Sequence, residues 1–424
     1  NNQTSIILLL TSGAGPQHFE AARLIEHGSQ KMAAFKQFEE FRLLSTQNFD
    51  NQLTDSAAAG TAVATGVKTH NNFTGVDHKN RPLMNFIEYL REFHPNYTTG
   101  VISKQSLSKS PLSAFLGHYF KTESKDEIYQ SILNYTKADL VFAPNHVEFK
   151  PHEAQFKDLG YNTLDPSQVK NIPKTDLPLF ALVTESSDMS NYLNLQKDEM
   201  NVTYLTQLAI EKLPQPFFLV VQTSLPKADT SLVGDMIEHD YLVRYLLQQQ
   251  EKLNLQIIQT SDHETGGMAV QDHLDNINQM QISNTNEQRK ARIEALNLTF
   301  STQGNTNAVI AFAASGSKFG QKMTKGMTAL TDVFRVLVKI IGEYKEVNPF
   351  DAVKINQKGM FEGRVYKVKE SEKEKLEVDV GLYVTLGVLG GITASALMVV
   401  GYALVKKYFK GGKGHIQLVD AVQQ

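Results

Sequence analysis

The chain has 424 residues, 41% hydrophobic and 21% charged, which is enough to bury a large core and too apolar for overall disorder. Its formal net charge of −3 leaves no electrostatic footprint for nucleic acid. With no cysteine, disulfides, zinc–thiolate sites and thiol catalysis are excluded, while the redox compartment stays open.

The chain opens Asn1-Asn2 and reaches the apolar run Ile6-Ile7-Leu8-Leu9-Leu10 almost at once. That run is too short for a signal peptide and lacks a basic leader, so it reads as a buried strand of a mature protein. A glycine-containing turn (Thr11-Ser12-Gly13-Ala14-Gly15-Pro16) and a helix from about His18 follow. A second helix begins within 55–68, and residues 84–93 have helical periodicity before a strand at 100–103. Residues 217–222 form a continuous apolar run, as in a parallel sheet covered on both faces. A helix at 236–250, a strand at 255–260 ending on Ser261-Asp262-His263, a strand at 308–313 and a helix at 330–341 complete the series. The alternation predicts an α/β protein, a three-layer α/β/α sandwich with a mostly parallel central sheet.

The C-terminal segment has a different character. Residues 380–405 contain no charge, longer than the roughly 20 residues that span a bilayer, and read as a transmembrane helix. Its small residues Gly387, Gly391 and Ser395 recur every fourth position, a spacing suited to close helix packing. The expected organisation is a globular domain at 1–366, a charged stalk at 367–379, the span, and a short basic tail at 406–424. The tail carries Lys406, Lys407, Lys410 and Lys413 against Asp420, which places it on the cytoplasmic or equivalent side and the large domain opposite. Six Asn-x-Ser/Thr sequons, at Asn2, Asn72, Asn96, Asn134, Asn201 and Asn297, lie on that outer side as glycosylation candidates. A cell-surface location fits this layout, and so does a mitochondrial inner-membrane location facing the intermembrane space.

The most informative stretch is Asp55-Ser56-Ala57-Ala58-Ala59-Gly60-Thr61-Ala62, continued by Val63-Ala64-Thr65-Gly66-Val67-Lys68. A serine behind an aspartate and before small residues looks like a nucleophile at a helix N-terminus, where free N–H groups favour an anionic oxygen. This stretch resembles the nucleophile motif of alkaline phosphatases. The resemblance extends over roughly residues 5–342 through Leu8–Gln17, Ser108-Lys109-Ser110-Pro111, Phe218–Gln222, Asp262-His263-Glu264-Thr265-Gly266-Gly267 and Gly304-Asn305-Thr306. It implies hydrolysis of phosphate monoesters through a phosphoserine, with two zinc ions and usually a magnesium.

Carried over residue by residue, the resemblance places the nucleophile on Ser56 and two ligands of the activating zinc on Asp262 and His263. The carboxylate that bridges that zinc to magnesium falls on Ser12, and the magnesium glutamate on Gln222. Ser108 takes an Asp/His position, with Ser110 as the retained hydroxyl. The three ligands of the other zinc fall on Lys227, Ser231 and Asn305, and the phosphate-binding arginine on Thr122 beside Lys121. Ser56 thus reads as a vestigial nucleophile, and Asp262 and His263 as residual ligands. No cofactor is expected or, failing that, a single Zn or Mg.

The resulting expectation is a membrane-anchored pseudoenzyme, a structural or interaction subunit of a membrane assembly. Its partners would be the lipid bilayer and either other membrane-complex subunits or a second copy in a homodimer, with no nucleic acid. Two rivals stand beside it. One is a phosphomonoesterase or phosphodiesterase with a reduced metal site using Ser56. The other is a module that holds a phosphorylated ligand without turnover.

Overall fold

A computed structural model of the protein describes residues 4–28, 32–120, 125–170, 172, 177–271, 280, 285–320 and 323–342. All of them fall in one compact unit, 1–357, while the second unit, 358–424, lies outside the described residues. The expected stalk, span and basic tail are therefore outside them, as is Asn2. Among the described residues no helix is long and apolar enough to cross a membrane.

Nine strands form the main sheet: β1 (Ser5–Thr11), β2 (Glu40–Leu44), β3 (Thr98–Ile102), β4 (Leu140–Ala143), β5 (Asn162–Leu164), β6 (Leu179–Leu182), β7 (Phe217–Ser224), β8 (Leu255–Thr260) and β9 (Ile310–Ser315). Their spatial order is β2-β9-β8-β1-β7-β3-β4-β6-β5. Every neighbouring pair from β8 to β5 is parallel, while β9 and β2 add an antiparallel edge. The alternating α/β reading and the mostly parallel sheet hold.

β1 sits at the centre because it is buried on both faces along its whole length. Ile6, Leu8 and Leu10 pack to one side with Val63, Phe86, Val220 and Val336. Ile7 and Leu9 pack to the other with Leu219, Val221, Leu242 and Leu246. Each such side chain contributes about 1.5–3 kcal/mol by leaving water. One layer holds α2 (Ser56–Thr65), α3 (Phe86–Phe93) and, near the end of the described residues, a helix at Thr331–Ile341. The opposite layer carries α1 (Pro16–His27), a helix at Val202–Lys212 and the long α4 (Ser231–Leu253).

Two differences from the sequence reading are informative. The long helix begins at Ser231, not near 236, because Leu232 and Val233 are buried and Asp235 accepts the Leu225 N–H. Polar residues and Gly234 interrupt the apolar pattern there and hide that turn. Strands β4, β5 and β6 occupy a region the sequence left unassigned, where runs of three or four residues are too short to show a period.

Candidate functional site

β8 and β7 flank β1 in parallel, so the C-terminal ends of the three strands lie side by side, the rim where ligands usually sit in such sheets. Register brings Leu10 level with both Thr260 and Gln222, and Thr11 level with Ser224. Ser12, Gln222 and Asp262 thereby meet at one edge, although up to 250 residues separate them in sequence.

Ser56 is the first residue of α2, and Asp55 is its cap. The Asp55 carboxylate accepts from Ala58 N–H at 2.8 Å and Asn72 N–H at 2.6 Å. Burial pushes the Asp55 carboxyl up from its ordinary value, against those two N–H groups and the nearby His263. The run of small residues serves packing: a Cβ on Gly60 would lie 2.2 Å from the Pro111 carbonyl oxygen. Close approach of α2 to the turn at Pro111–Phe115 therefore requires glycine at that position.

Ser56 Oγ lies 3.0 Å from His263 Nε2. On the other side of the ring, His263 Nδ1 is 3.1 Å from Thr265 Oγ1. The Thr265 hydroxyl donates to Asn305 Oδ1 at 3.1 Å, and Asn305 Nδ2 donates to the Thr54 carbonyl at 3.1 Å. Asp262 is fully buried. One of its oxygens accepts from Gly13 N–H at 3.0 Å and His263 N–H at 2.8 Å. The other accepts from Ser12 Oγ at 2.7 Å and stands 3.4 Å from His263 Nε2.

Beside this group, Gln222 closes a second one. Its Oε1 accepts from Ser110 Oγ at 2.9 Å and lies 3.1 Å from Ser103 Oγ, whose one proton is shared with the Gln105 carbonyl 2.6 Å away, and its Nε2 donates to the Ser224 carbonyl at 3.2 Å. Ser108 donates to Glu148 at 3.0 Å, and Ser106 donates to the same carboxylate. Lys104 next to Ser103 is buried and pairs with Asp235 at 2.8 Å and Glu238 at 3.4 Å.

Of the sequence-predicted positions, the fold gathers Ser12, Ser56, Asp262, His263 and Asn305, with Gln222 in the adjoining group. Ser108 turns to Glu148 instead. Lys227 is exposed on the loop after β7, where the neighbouring Pro226 packs on Gly13. Ser231 opens α4 and lines a separate cavity of about 730 Å³ with Asp229, Lys290 and Asn297. Thr122 lies outside the described residues. Of the sequons, Asn72, Asn96, Asn134 and Asn297 are exposed, while Asn201 is half-buried and caps a helix by accepting from Tyr204 N–H.

Sequence reasoning did not weigh Thr265, Ser103 or Glu148. Thr265 stands inside a quoted motif, but nothing in its spacing says that it faces the ring of His263. The metals that the resemblance implies do not fit this donor set. The described residues hold no group of three or more His, Cys, Asp or Glu able to share an ion. The Asp262 oxygens are already engaged by protein donors, and the Gln222 group is neutral.

Comparison with known proteins agrees with the motif reading. The alkaline phosphatase family model matches residues 3–142. Alkaline phosphatase 4 of Bacillus subtilis is 26% identical over 294 residues, covering 63% of this chain and 62% of its own length. The alkaline phosphatase of Escherichia fergusonii is 24% identical over 409 residues, covering 80% and 86%. The chain thus spans about three-fifths of the length of the Bacillus subtilis relatives it matches. Among solved structures, the cold-active alkaline phosphatase of Shewanella sp. superposes with a TM-score of 0.68 at 19% identity, over 80% of this chain and 100% of its own. That of the Antarctic bacterium TAB5 gives 0.66 at 21%, over 80% and 98%. Sequence and fold are alkaline phosphatase-like.

Proposed function

We propose that this alkaline phosphatase-like chain has lost the two-metal phosphatase chemistry of its relatives and serves as an interaction subunit anchored in a membrane assembly. The carrying observation is that Gln222 and Asp262, at metal positions the resemblance implies, are hydrogen-bonded to the protein's own groups. Gln222 accepts from Ser110 and donates to the Ser224 carbonyl, and Asp262 accepts from Ser12 and two backbone N–H groups. A magnesium or a bridging pair of ions would have to strip donors from a buried carboxylate and gains no second charge in return. Anchoring rests on the uncharged 380–405 segment, the basic residues after it, and the sequons before it.

A second reading remains attached to one observation, the juxtaposition of Ser56, Asp262 and His263. It is a phosphatase with a single zinc. Metal analysis of the purified full chain, with p-nitrophenyl phosphate turnover, decides between them. The proposal expects less than a tenth of an equivalent of zinc and no turnover above Ser56→Ala. Stoichiometric zinc with Ser56-dependent turnover overturns it. Glycan released by an amidase from Asn72, Asn96, Asn134 or Asn297 would assign the surface location over the mitochondrial one.

A further inference from the structure

We infer that the rim at the N-terminal ends of the parallel strands faces the membrane, and that a cavity there, lined by Arg91 and Lys137, takes the phosphate headgroup of an anionic phospholipid. The inference rests on the anchoring proposed above and goes beyond it, since it says which face of the domain meets the bilayer and what holds it there.

The path of the chain selects the rim. β2 and β8 are each antiparallel to β9 and so run the same way, which puts Ser45, just past β2, at the rim that carries Asp262. Ser45 bridges to Ala329, and the helix at Thr331–Ile341 starts two residues later. Phe334, in its first turn, packs on Phe86 and Tyr89 of α3, which runs on toward the start of β3. Over its 11 residues the helix advances about 16 Å, and Ile341 packs on the same core cluster as Tyr97, just before β3. Gly342 therefore delivers the chain to the opposite rim, and residues 343–379 lead from there to the uncharged segment 380–405.

On that rim a cavity of about 260 Å³ opens between the end of α3 and the starts of β4, β5 and β6. Arg91 and Lys137 line it, and Arg91 Nη1 donates to the Lys137 carbonyl at 2.8 Å, which holds the guanidinium beside that turn. Among the described residues neither cation forms an ion pair. Asp139, the one carboxylate in the lining, accepts from Thr99 N–H at 2.8 Å and Thr99 Oγ1 at 2.9 Å. Two cations thus stand against one engaged carboxylate. The walls are apolar, with Leu133, Leu159, Leu177 and Pro178. A guanidinium, an ammonium and hydrocarbon walls match a phosphodiester that carries glycerol and acyl chains. The volume falls just below the roughly 300–1,000 Å³ of sites that enclose a drug-sized ligand, so a headgroup fits inside while its acyl chains stay in the bilayer. Leu159 is 53% exposed, and Phe93, two residues beyond Arg91, is 42% exposed. Exposed apolar and aromatic side chains beside cations make the composition of a membrane-interface surface.

The chain has no cysteine, so single cysteines can report position. Leu159→Cys reads this rim, and Val309→Cys, 44% exposed just before β9, reads the opposite one. Each full-length variant carries a bimane label and is reconstituted in phosphatidylcholine vesicles with or without phosphatidylglycerol, with a nitroxide-headgroup lipid as quencher. Quenching is expected at Leu159→Cys and not at Val309→Cys, and only in the vesicles that contain phosphatidylglycerol. A basic residue near an anionic surface is worth about fivefold. Adding Lys137→Gln should therefore lower the docked-to-undocked ratio about fivefold, and Arg91→Gln with it about 25-fold. Quenching at Val309→Cys, at both positions, at neither, or to the same extent without phosphatidylglycerol overturns the inference and leaves the anchor standing. A glycan on Asn96 or Asn134, which flank this rim just before β3 and beside Leu133, does the same. Flotation of the full chain with the anionic vesicles but not with phosphatidylcholine alone would instead remove the anchor and keep this site, and flotation with neither overturns both.

Discussion

Asp262 offers the sharpest discrimination between a spent metal site and a live one. A carboxylate kept to bind a cation is held under charge strain in the metal-free protein, so its removal leaves stability unchanged or raises it. Here Asp262 is fully buried and accepts from Ser12 Oγ at 2.7 Å, His263 N–H at 2.8 Å and Gly13 N–H at 3.0 Å. Asp262→Ala orphans all three donors. At about 1–3 kcal/mol for each unsatisfied buried group, discounted because the three share one partner, the expected loss is about 3–6 kcal/mol. Asp262→Asn keeps an oxygen for the two backbone N–H groups and loses the charge-assisted bond from Ser12, so it should cost about 1–3 kcal/mol. Urea unfolding in EDTA reads both values. Variants as stable as the parent or more so in EDTA, together with a zinc-dependent rise in the parent's melting temperature that they lack, would refute the structural role assigned to Asp262.

The glycine in the small-residue run gives a test of opposite sign to helix propensity. Gly60→Ala should gain about 1 kcal/mol in an isolated helix. The 2.2 Å approach of its Cβ to the Pro111 carbonyl should instead make it destabilising by about 1–3 kcal/mol in urea, and a neutral result would show that α2 can shift. Acid stability should depend on His239, which burial holds at about 4 between Thr223 and Gln259. Between that value and the ordinary 6.5, the unfolded chain binds a proton that the folded chain refuses. Stability present above pH 6.5 is therefore lost as pH falls toward 4, by about 3 kcal/mol for this group. His18, likewise lowered to about 4 by burial, adds a second such loss. His239→Gln should remove about one proton from the slope of unfolding free energy measured between pH 4.5 and 7. An unchanged slope would show that His239 is not buried neutral.

The sequence by itself determined the architecture. The central apolar run at 6–10, the runs at 217–222 and 255–260 and the helical periods between them are local patterns, and local patterns fix which faces are buried. It also identified Ser56 as the first residue of a helix, because a capping aspartate and small residues leave their mark within a few positions. What it could not carry was the direction of a hydrogen bond. That Ser12 donates to Asp262, that Gln222 gathers Ser103 and Ser110, and that Asn305 holds Thr265 so that His263 faces Ser56 all depend on strand order and register. Read along the chain, Ser12, Gln222 and Asn305 are missing ligands beside the retained Ser56, Asp262 and His263. Brought together at the ends of β1, β7 and β8, they are each other's partners, because a buried polar group must be satisfied by whatever the fold sets beside it, however distant in sequence.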